Sequence, residues 1–339
     1  LKIDMKKKPR VVATRKLPPA VEARLTRDYD AILNLDDRVI GADELVSLAR
    51  GADALIVAPT ERIDASLIAR LPPSLRIIAC YSVGFDNVDA AAAVKRGIAV
   101  TNTPDVLTEA TADIAMLCLL GAARRAHEGD VLVRSGRWGR WTPTELLGAE
   151  LNGKRLGIFG MGRIGQAMAR RARGFGLKLL YCDQRKLPAK FAQGARFVAD
   201  FDHFLAQCDI LSLHAPATKE THHFLNTARI DRLPQGAIVV NTARGTLVDD
   251  DALIAALRTW RVAAAGLDVF ENEPKLHRGY LELPNVFILP HLGSATVETR
   301  DAMGFRALDN LDAFFGGKTP RDRVNSRRAG IPSRRTART

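Results

Sequence analysis

Three segments in the second half of the chain each carry an ionisable side chain just beyond an apolar run. Residues 239–245 (VVNTARG) include Arg244, residues 265–274 (AGLDVFENEP) hold Asp268 and Glu273, and residues 289–295 (LPHLGSA) hold His291. A guanidinium grips a carboxylate and polarises a neighbouring carbonyl; an imidazole supplies the proton an oxygen needs as it becomes an alkoxide. Hydride transfer to the α-carbon of a keto acid requires both. Taken singly, an Arg, a Glu or a His on a loop is a surface residue. These make a set because each follows a strand-like run, and α/β folds bind ligands at strand carboxyl ends.

A fourth segment supplies the partner for such chemistry. The apolar run 156–159 leads into Gly160-Met161-Gly162-Arg163-Ile164-Gly165, with a helix-like stretch at 166–173 behind it. In that context Gly160 permits a tight turn, Gly162 lets backbone approach a pyrophosphate, and Gly165 allows close packing of helix on strand. Asp183 stands 18 residues beyond Gly165 at the end of the next apolar run, where a carboxylate accepts hydrogen bonds from a ribose 2′-hydroxyl and repels a 2′-phosphate. NAD is therefore favoured. Arg185 and Lys186 lie within reach of a 2′-phosphate, which keeps NADP open.

The elements that must position these residues read as βα units. Strands are expected at 11–14, 31–33, 54–58, 76–80 and 98–100, with helical stretches at 44–49 and 65–71, the latter stopped by Pro72-Pro73. A long helix is expected from about 107 to 127, with Thr108 as its N-cap and Glu109 in its first turn. A second series follows, with six strands at 155–160, 178–183, 210–214, 237–241, 263–268 and 286–289, then one helix at 297–315 before Gly316-Gly317. The fold class is α/β: two Rossmann-like domains, one flavodoxin-like and one dinucleotide-binding, with parallel sheets and a cleft between them.

At 339 residues, with 47% hydrophobic and 26% charged, the chain can bury two domain cores. Its net charge of +12 resembles a nucleic-acid binder's until divided by position. Residues 1–16 and 318–339 carry 15 of the 50 basic residues and only two acids, leaving 35 basic against 36 acidic residues in the body. The arginine-rich segment 327–339 reads as a solvated, disordered tail, and nucleic-acid binding is not expected. Cys80, Cys118, Cys182 and Cys208 form no Cys-x-x-Cys pair, which suggests neither zinc nor a disulfide framework and fits reduced thiols in a cytoplasmic protein. No apolar run is long enough for a bilayer. Residues 1–4, which precede Met5, are set aside as either a leader or an appended remnant.

Tyr81 to Asp89 (YSVGFDNVD), the Gly160 fingerprint, the Arg244 segment, Asp268 to Pro274 and the His291 segment occur in one order, with 24 residues from Arg244 to Asp268 and five from there to Glu273. In these motifs the chain resembles the D-isomer-specific 2-hydroxyacid dehydrogenases, and within them the glyoxylate/hydroxypyruvate reductases. The resemblance implies that His291 is the general acid/base, that Glu273 hydrogen-bonds it, and that Arg244 holds the substrate's carboxylate and keto oxygen. A neighbouring carboxylate should raise an imidazole above its usual pKa of about 6.5. The resemblance also assigns the backbone amides of Val83 and Gly84 to the other carboxylate oxygen. Arg163 and Ile164 would lie at the pyrophosphate, Thr111 and Pro216 nearby, and Asp268 at the nicotinamide carboxamide, with Thr242, Arg244, His291 and Gly293 as further cofactor contacts.

The same resemblance makes residues 5–105 with 296–326 the substrate-binding domain and 106–295 the NAD(P)-binding domain. It implies a homodimer, with the helix near 107–127 and the loop of Trp138 and Trp141 as contacts, although an apolar helix of that length is equally explained by core packing within one chain. Trp141 would border the partner's substrate pocket, or else both tryptophans anchor the interface. Asp183-Gln184 departs from the Asn-Arg pattern of NADP-preferring members, which bears on the coenzyme and not on the reaction. His214, His222 and His223 are read as structural, without carboxylate pairing and without a metal. Ser294 lacks a nucleophile elbow. The alternative function is a dinucleotide-sensing, corepressor-like binding protein on the same fold.

Overall fold

Short runs of Val, Ile, Leu and Ala, buried on both faces, are what a parallel sheet covered by helices demands. In the computed structural model, which describes residues 8–324, such runs build two sheets in which every neighbouring pair of strands is parallel. The chain forms two compact units, one reaching to Leu107 and resuming at Thr296, the other spanning Thr108–Ala295. The expected tail at 327–339 lies outside the described residues.

The first unit holds β1 (Arg10–Ala13), β2 (Asp30–Ile32), β3 (Ala54–Val57), β4 (Ile77–Cys80) and β5 (Ala99–Thr101) in the order β2-β1-β3-β4-β5. That is the flavodoxin-like order. The helix Val297–Phe315 packs on β4 and on the helix Pro19–Asp28. Gly304 makes this possible, since a Cβ there would come within 2.4 Å of Val21 Cγ2. Arg24 then joins the two helices, reaching Asp309 at 2.8 Å and Asp312 at 2.6 Å.

The second unit holds β6 (Arg155–Phe159), β7 (Lys178–Cys182), β8 (Arg196–Phe197), β9 (Ile210–Leu213), β10 (Ala237–Asn241), β11 (Val262–Leu267) and β12 (Val286–Ile288), in the order β12-β11-β10-β9-β6-β7-β8. From β6 the chain steps outward through β7 to β8, then returns to pair β9 with the other side of β6, Phe159 opposite Leu213. The direction of winding reverses between β6 and β9, and such a switch point opens a crevice at the strands' carboxyl ends. The helix Thr108–Ala123 lies flat on this sheet because Gly266 has no side chain: a Cβ there would meet Cys118 O at 2.2 Å.

Two sequence expectations are corrected here. The long helix stops at Ala123, Thr108 is its first residue rather than its cap, and after a left-handed turn at Arg125 (φ 53) a separate helix runs Ala126–Arg134. The stop is tertiary: Ala149 N donates to Ala123 O at 2.8 Å, and Gly148 passes so close that a Cβ would sit 2.3 Å from the same oxygen. The second sheet has seven strands rather than six, because β8 adds a two-residue edge beside Leu180 and Tyr181. Two residues carry no periodicity to read. The four cysteines are buried thiols, and no helix among the described residues is long and apolar enough to cross a membrane.

Candidate active site

The carboxyl edge of the seven-stranded sheet gathers the glycine turn, Asp183, Arg244, Asp268 and His291, each on the turn that follows a strand. After β6, Gly160 adopts φ +92, and a Cβ there would lie 2.6 Å from Ala215 N, so no other residue fits this turn. Gly165 allows the next contact, since its Cβ would fall 2.3 Å from Gly160 O. At Gly162 a Cβ would meet nothing within 4 Å, so the backbone there faces open space. Gly162 also caps the twelve-residue helix Arg163–Gly174 without a side-chain hydrogen bond, and no acid occupies the first turn. The positive end of such a helix suits an anion. Arg163 and Ile164 open that helix.

Asp183, one residue past β7, accepts hydrogen bonds from Met161 N at 2.8 Å (Oδ2) and from Gln184 N at 2.7 Å (Oδ1). The acid read from sequence as a ribose ligand thus also staples the glycine turn to its neighbouring strand. Past β9, His214 N donates to Phe159 O at 2.8 Å, its Nε2 lies 2.8 Å from Ser212 Oγ, and Pro216 follows, exposed. Burial pushes the His214 imidazole down to about 4, so it is neutral near pH 7. Its Nδ1 and Thr242 Oγ1, at the ends of β9 and β10, are buried polar atoms without a protein partner. Two orphaned polar atoms and a helix start without a side-chain cap, along one sheet edge, fit a polar, phosphate-bearing ligand such as a nicotinamide dinucleotide. Gly160→Ala is expected to cost about 1–3 kcal/mol of stability and to weaken dinucleotide binding at least tenfold, as read by thermal melting and NADH fluorescence titration.

Past β10 the chain turns sharply: Asn241 Nδ2 donates to Arg244 O at 2.8 Å and Ala243 N donates to Asn241 Oδ1 at 3.0 Å. Gly245 lets this turn press on the loop after β11, because a Cβ would stand 1.8 Å from Phe270 C and 2.1 Å from Glu271 N. The Arg244 charge is thereby close enough to bear on Glu273.

Asp268 directly follows β11 and is buried; its carboxylate accepts from Leu292 N at 2.6 Å and Gly293 N at 2.8 Å. Burial raises its pKa, although these amides and the charge of His291 oppose the rise. Thr111 Oγ1 donates to Gly293 O at 2.9 Å from the facing helix. Asp268, Thr111 and Gly293, read from sequence as cofactor contacts, therefore form a clamp on the His291 turn. No local signal announces that task, because the partners lie 24 and more residues apart.

The clamp has something to hold. His291 sits at φ 57, in the left-handed region that non-glycine residues seldom enter. Its Nδ1 lies 2.7 Å from Glu273 Oε2, and since an ionised carboxylate only accepts, Nδ1 carries the proton. Glu273 Oε1 accepts from Phe270 N at 2.8 Å. Burial pushes the Glu273 carboxyl up, but the hydrogen bond and charge of His291, the Phe270 amide and Arg244 outweigh it and hold the group below its ordinary value. The pair thus persists as pH falls through the usual glutamate range and is lost only below it. With Nδ1 engaged, Nε2 is the nitrogen left to exchange a proton with a ligand.

Val83 and Gly84 follow β4 in the first unit, their carbonyls tied by Asn102 Nδ2 at 2.7 Å and Ser82 Oγ at 2.5 Å. Trp138 and Trp141 lie on the surface of the second unit, 55% and 77% exposed. One reading is overturned: His222 and His223 do have a carboxylate partner, with Glu271 3.8 Å from the first Nε2 and 3.1 Å from the second. Glu271 is 48 residues away from His223 in sequence, so spacing gave no sign of it.

Comparison with known proteins agrees with this geometry. The family model for the D-isomer specific 2-hydroxyacid dehydrogenase, NAD binding domain, matches residues 116–293. A glycerate dehydrogenase of Hyphomicrobium methylovorum is 46% identical over 312 residues, 91% of this chain and 97% of its own. A glyoxylate reductase of Thermococcus litoralis is 45% identical over 323 residues, covering 94% and 97% of the two chains. Among solved structures, an NADPH-dependent glyoxylate/hydroxypyruvate reductase of Sinorhizobium meliloti, in complex with NADP and malonate, aligns with a TM-score of 0.86 at 35% identity, over 98% of this chain and 100% of that one. With a glycine turn at the switch point and a carboxylate-paired histidine on the same sheet edge, the chain belongs to the D-isomer-specific 2-hydroxyacid dehydrogenase family.

Proposed function

We propose that this protein reduces a short 2-keto acid, of the glyoxylate or hydroxypyruvate type, to the D-2-hydroxy acid with a reduced nicotinamide dinucleotide. The observation that carries the proposal is the 2.7 Å His291–Glu273 pair, held by the Asp268 clamp on the sheet edge that also bears Arg244 and the glycine turn. When bound, the dinucleotide supplies the hydride. The rest is the work of this chain's side chains. Arg244 holds the acid's carboxylate and draws electron density toward the keto oxygen, and His291 delivers a proton from Nε2 as that oxygen becomes a hydroxyl. Glu273 steadies the protonated ring through Nδ1. Mixing the purified protein with NADH and a panel of keto acids, and following nicotinamide absorbance, should show fastest consumption with the smallest acids. Absence of turnover across the panel would overturn the proposal.

NAD is the coenzyme we assign, on Asp183: a carboxylate at the end of β7 favours a ribose hydroxyl over a 2′-phosphate. Asp183→Asn keeps an oxygen for Met161 N and removes the charge. It should raise the NADPH-to-NADH ratio of kcat/KM about tenfold, equivalent to about 1.4 kcal/mol. An unchanged ratio would shift the assignment to Arg185 and Lys186. We also propose a homodimer. The helix Thr108–Ala123 is mostly buried within its own unit, which leaves exposed Val131, Val133, Trp138, Trp141 and Leu147 as the apolar contact surface. Light scattering is expected to give twice the chain mass, and Trp141→Ser to lower it.

A further inference from the structure

Adjacent residues of an extended chain point to opposite sides, yet the rings of His222 and His223 stack with centroids 4.0 Å apart and planes 29° from parallel. A left-handed turn at His223 (φ 45) brings both Nε2 atoms to one carboxylate, His223 at 3.1 Å from Glu271 Oε2 and His222 at 3.8 Å from Oε1. The three donor atoms lie within 4.8 Å of one another. Around a tetrahedral ion with bonds of about 2.0–2.1 Å, donor atoms stand about 3.3 Å apart. The His223–Glu271 pair already meets that spacing, and exposed His222 has room to close the remainder. As an ion pair the group is half-exposed and worth little to stability. As a donor set, two imidazoles and a carboxylate suit borderline divalent transition cations rather than calcium or magnesium.

We propose that His222, His223 and Glu271 form a site for a divalent transition cation of the zinc, nickel and copper class, and that the bound cation restrains the loop carrying Glu273. The two sides of the site are already fixed to neighbouring structure. His223 N donates to Thr246 O at 2.8 Å and Leu225 N to Leu247 O at 2.9 Å, which ties the histidine turn to the segment after Arg244. Glu271 stands two residues before Glu273, and its amide abuts Gly245. A cation joining the two sides would bridge Glu271 to the histidines and restrict the movement of the backbone from which Glu273 reaches His291.

Equilibrium dialysis of the tag-free full chain with Zn(II) should show one cation per chain, released by EDTA, and no uptake of Mg(II) at the same concentrations. His222→Ala/His223→Ala and Glu271→Gln should each weaken Zn(II) binding by about tenfold or more, with thermal melting and NADH binding of the metal-free variants as checks on folding. Wild-type protein that takes up no Zn(II), or folded variants that bind it as wild type does, would overturn the site. In the turnover arm, Zn(II) should lower wild-type activity and leave the double histidine variant unaffected. Binding without any change in turnover would overturn the restraint on the Glu273 loop. This arm rests on the role proposed for Glu273 and the dialysis arm does not, so failure of one is distinguishable from failure of the other.

Discussion

His291→Asn should lower kcat by about 10²–10⁴-fold, the range for loss of a positioned acid or base, while NADH binds as before. Asparagine is the informative substitute because it tolerates left-handed backbone, so the turn at φ 57 and the Asp268 bonds to Leu292 N and Gly293 N can persist. What is removed is the proton at Nε2. The Gly160 turn, Asp183 and the start of the helix Arg163–Gly174 are untouched, which is why dinucleotide affinity should survive. Steady-state kinetics and fluorescence titration read the two quantities separately. A variant with near wild-type kcat would show that some other group delivers the proton.

Arg244→Ala is expected to lower kcat by about 10²–10³-fold, as for removal of one donor to a developing oxyanion, and to raise KM for the keto acid as well. The fold should tolerate it, because Asn241 grips the Arg244 carbonyl rather than its side chain. Arg244→Lys should recover only part of the loss, since a point charge cannot reproduce a planar fork on a carboxylate. Added guanidinium should restore some activity to the alanine variant and none to wild type. If KM rose with kcat unchanged, Arg244 would bind the acid without polarising its carbonyl.

Sequence patterning conveyed the architecture well where the signal is local. Apolar runs bounded by turns located the strands from β1 to β12 apart from β8, and the glycine spacing located the turn after β6. Arg244, Asp268 and His291 stand directly after β10, β11 and shortly after β12, where the runs 239–241, 265–267 and 286–289 had led. What escaped was tertiary. The end of the helix at Ala123 is set by an amide 26 residues later, Asp268 acts on a turn 24 residues away, and Glu271 meets His223 across 48 residues. No window of a few turns contains both partners of such contacts. Fold class was therefore legible in the residues alone, whereas the devices that hold the proposed catalytic side chains in place were not.

The most direct test of the central claim is a crystal structure of the wild-type protein with NADH and oxalate, an unreactive stand-in for the keto acid. One carboxylate should contact the Arg244 guanidinium, with an oxygen of the anion within about 3 Å of His291 Nε2 and Nδ1 still on Glu273. Oxalate bound away from both Arg244 and His291, with the dinucleotide in place, would contradict the assignment.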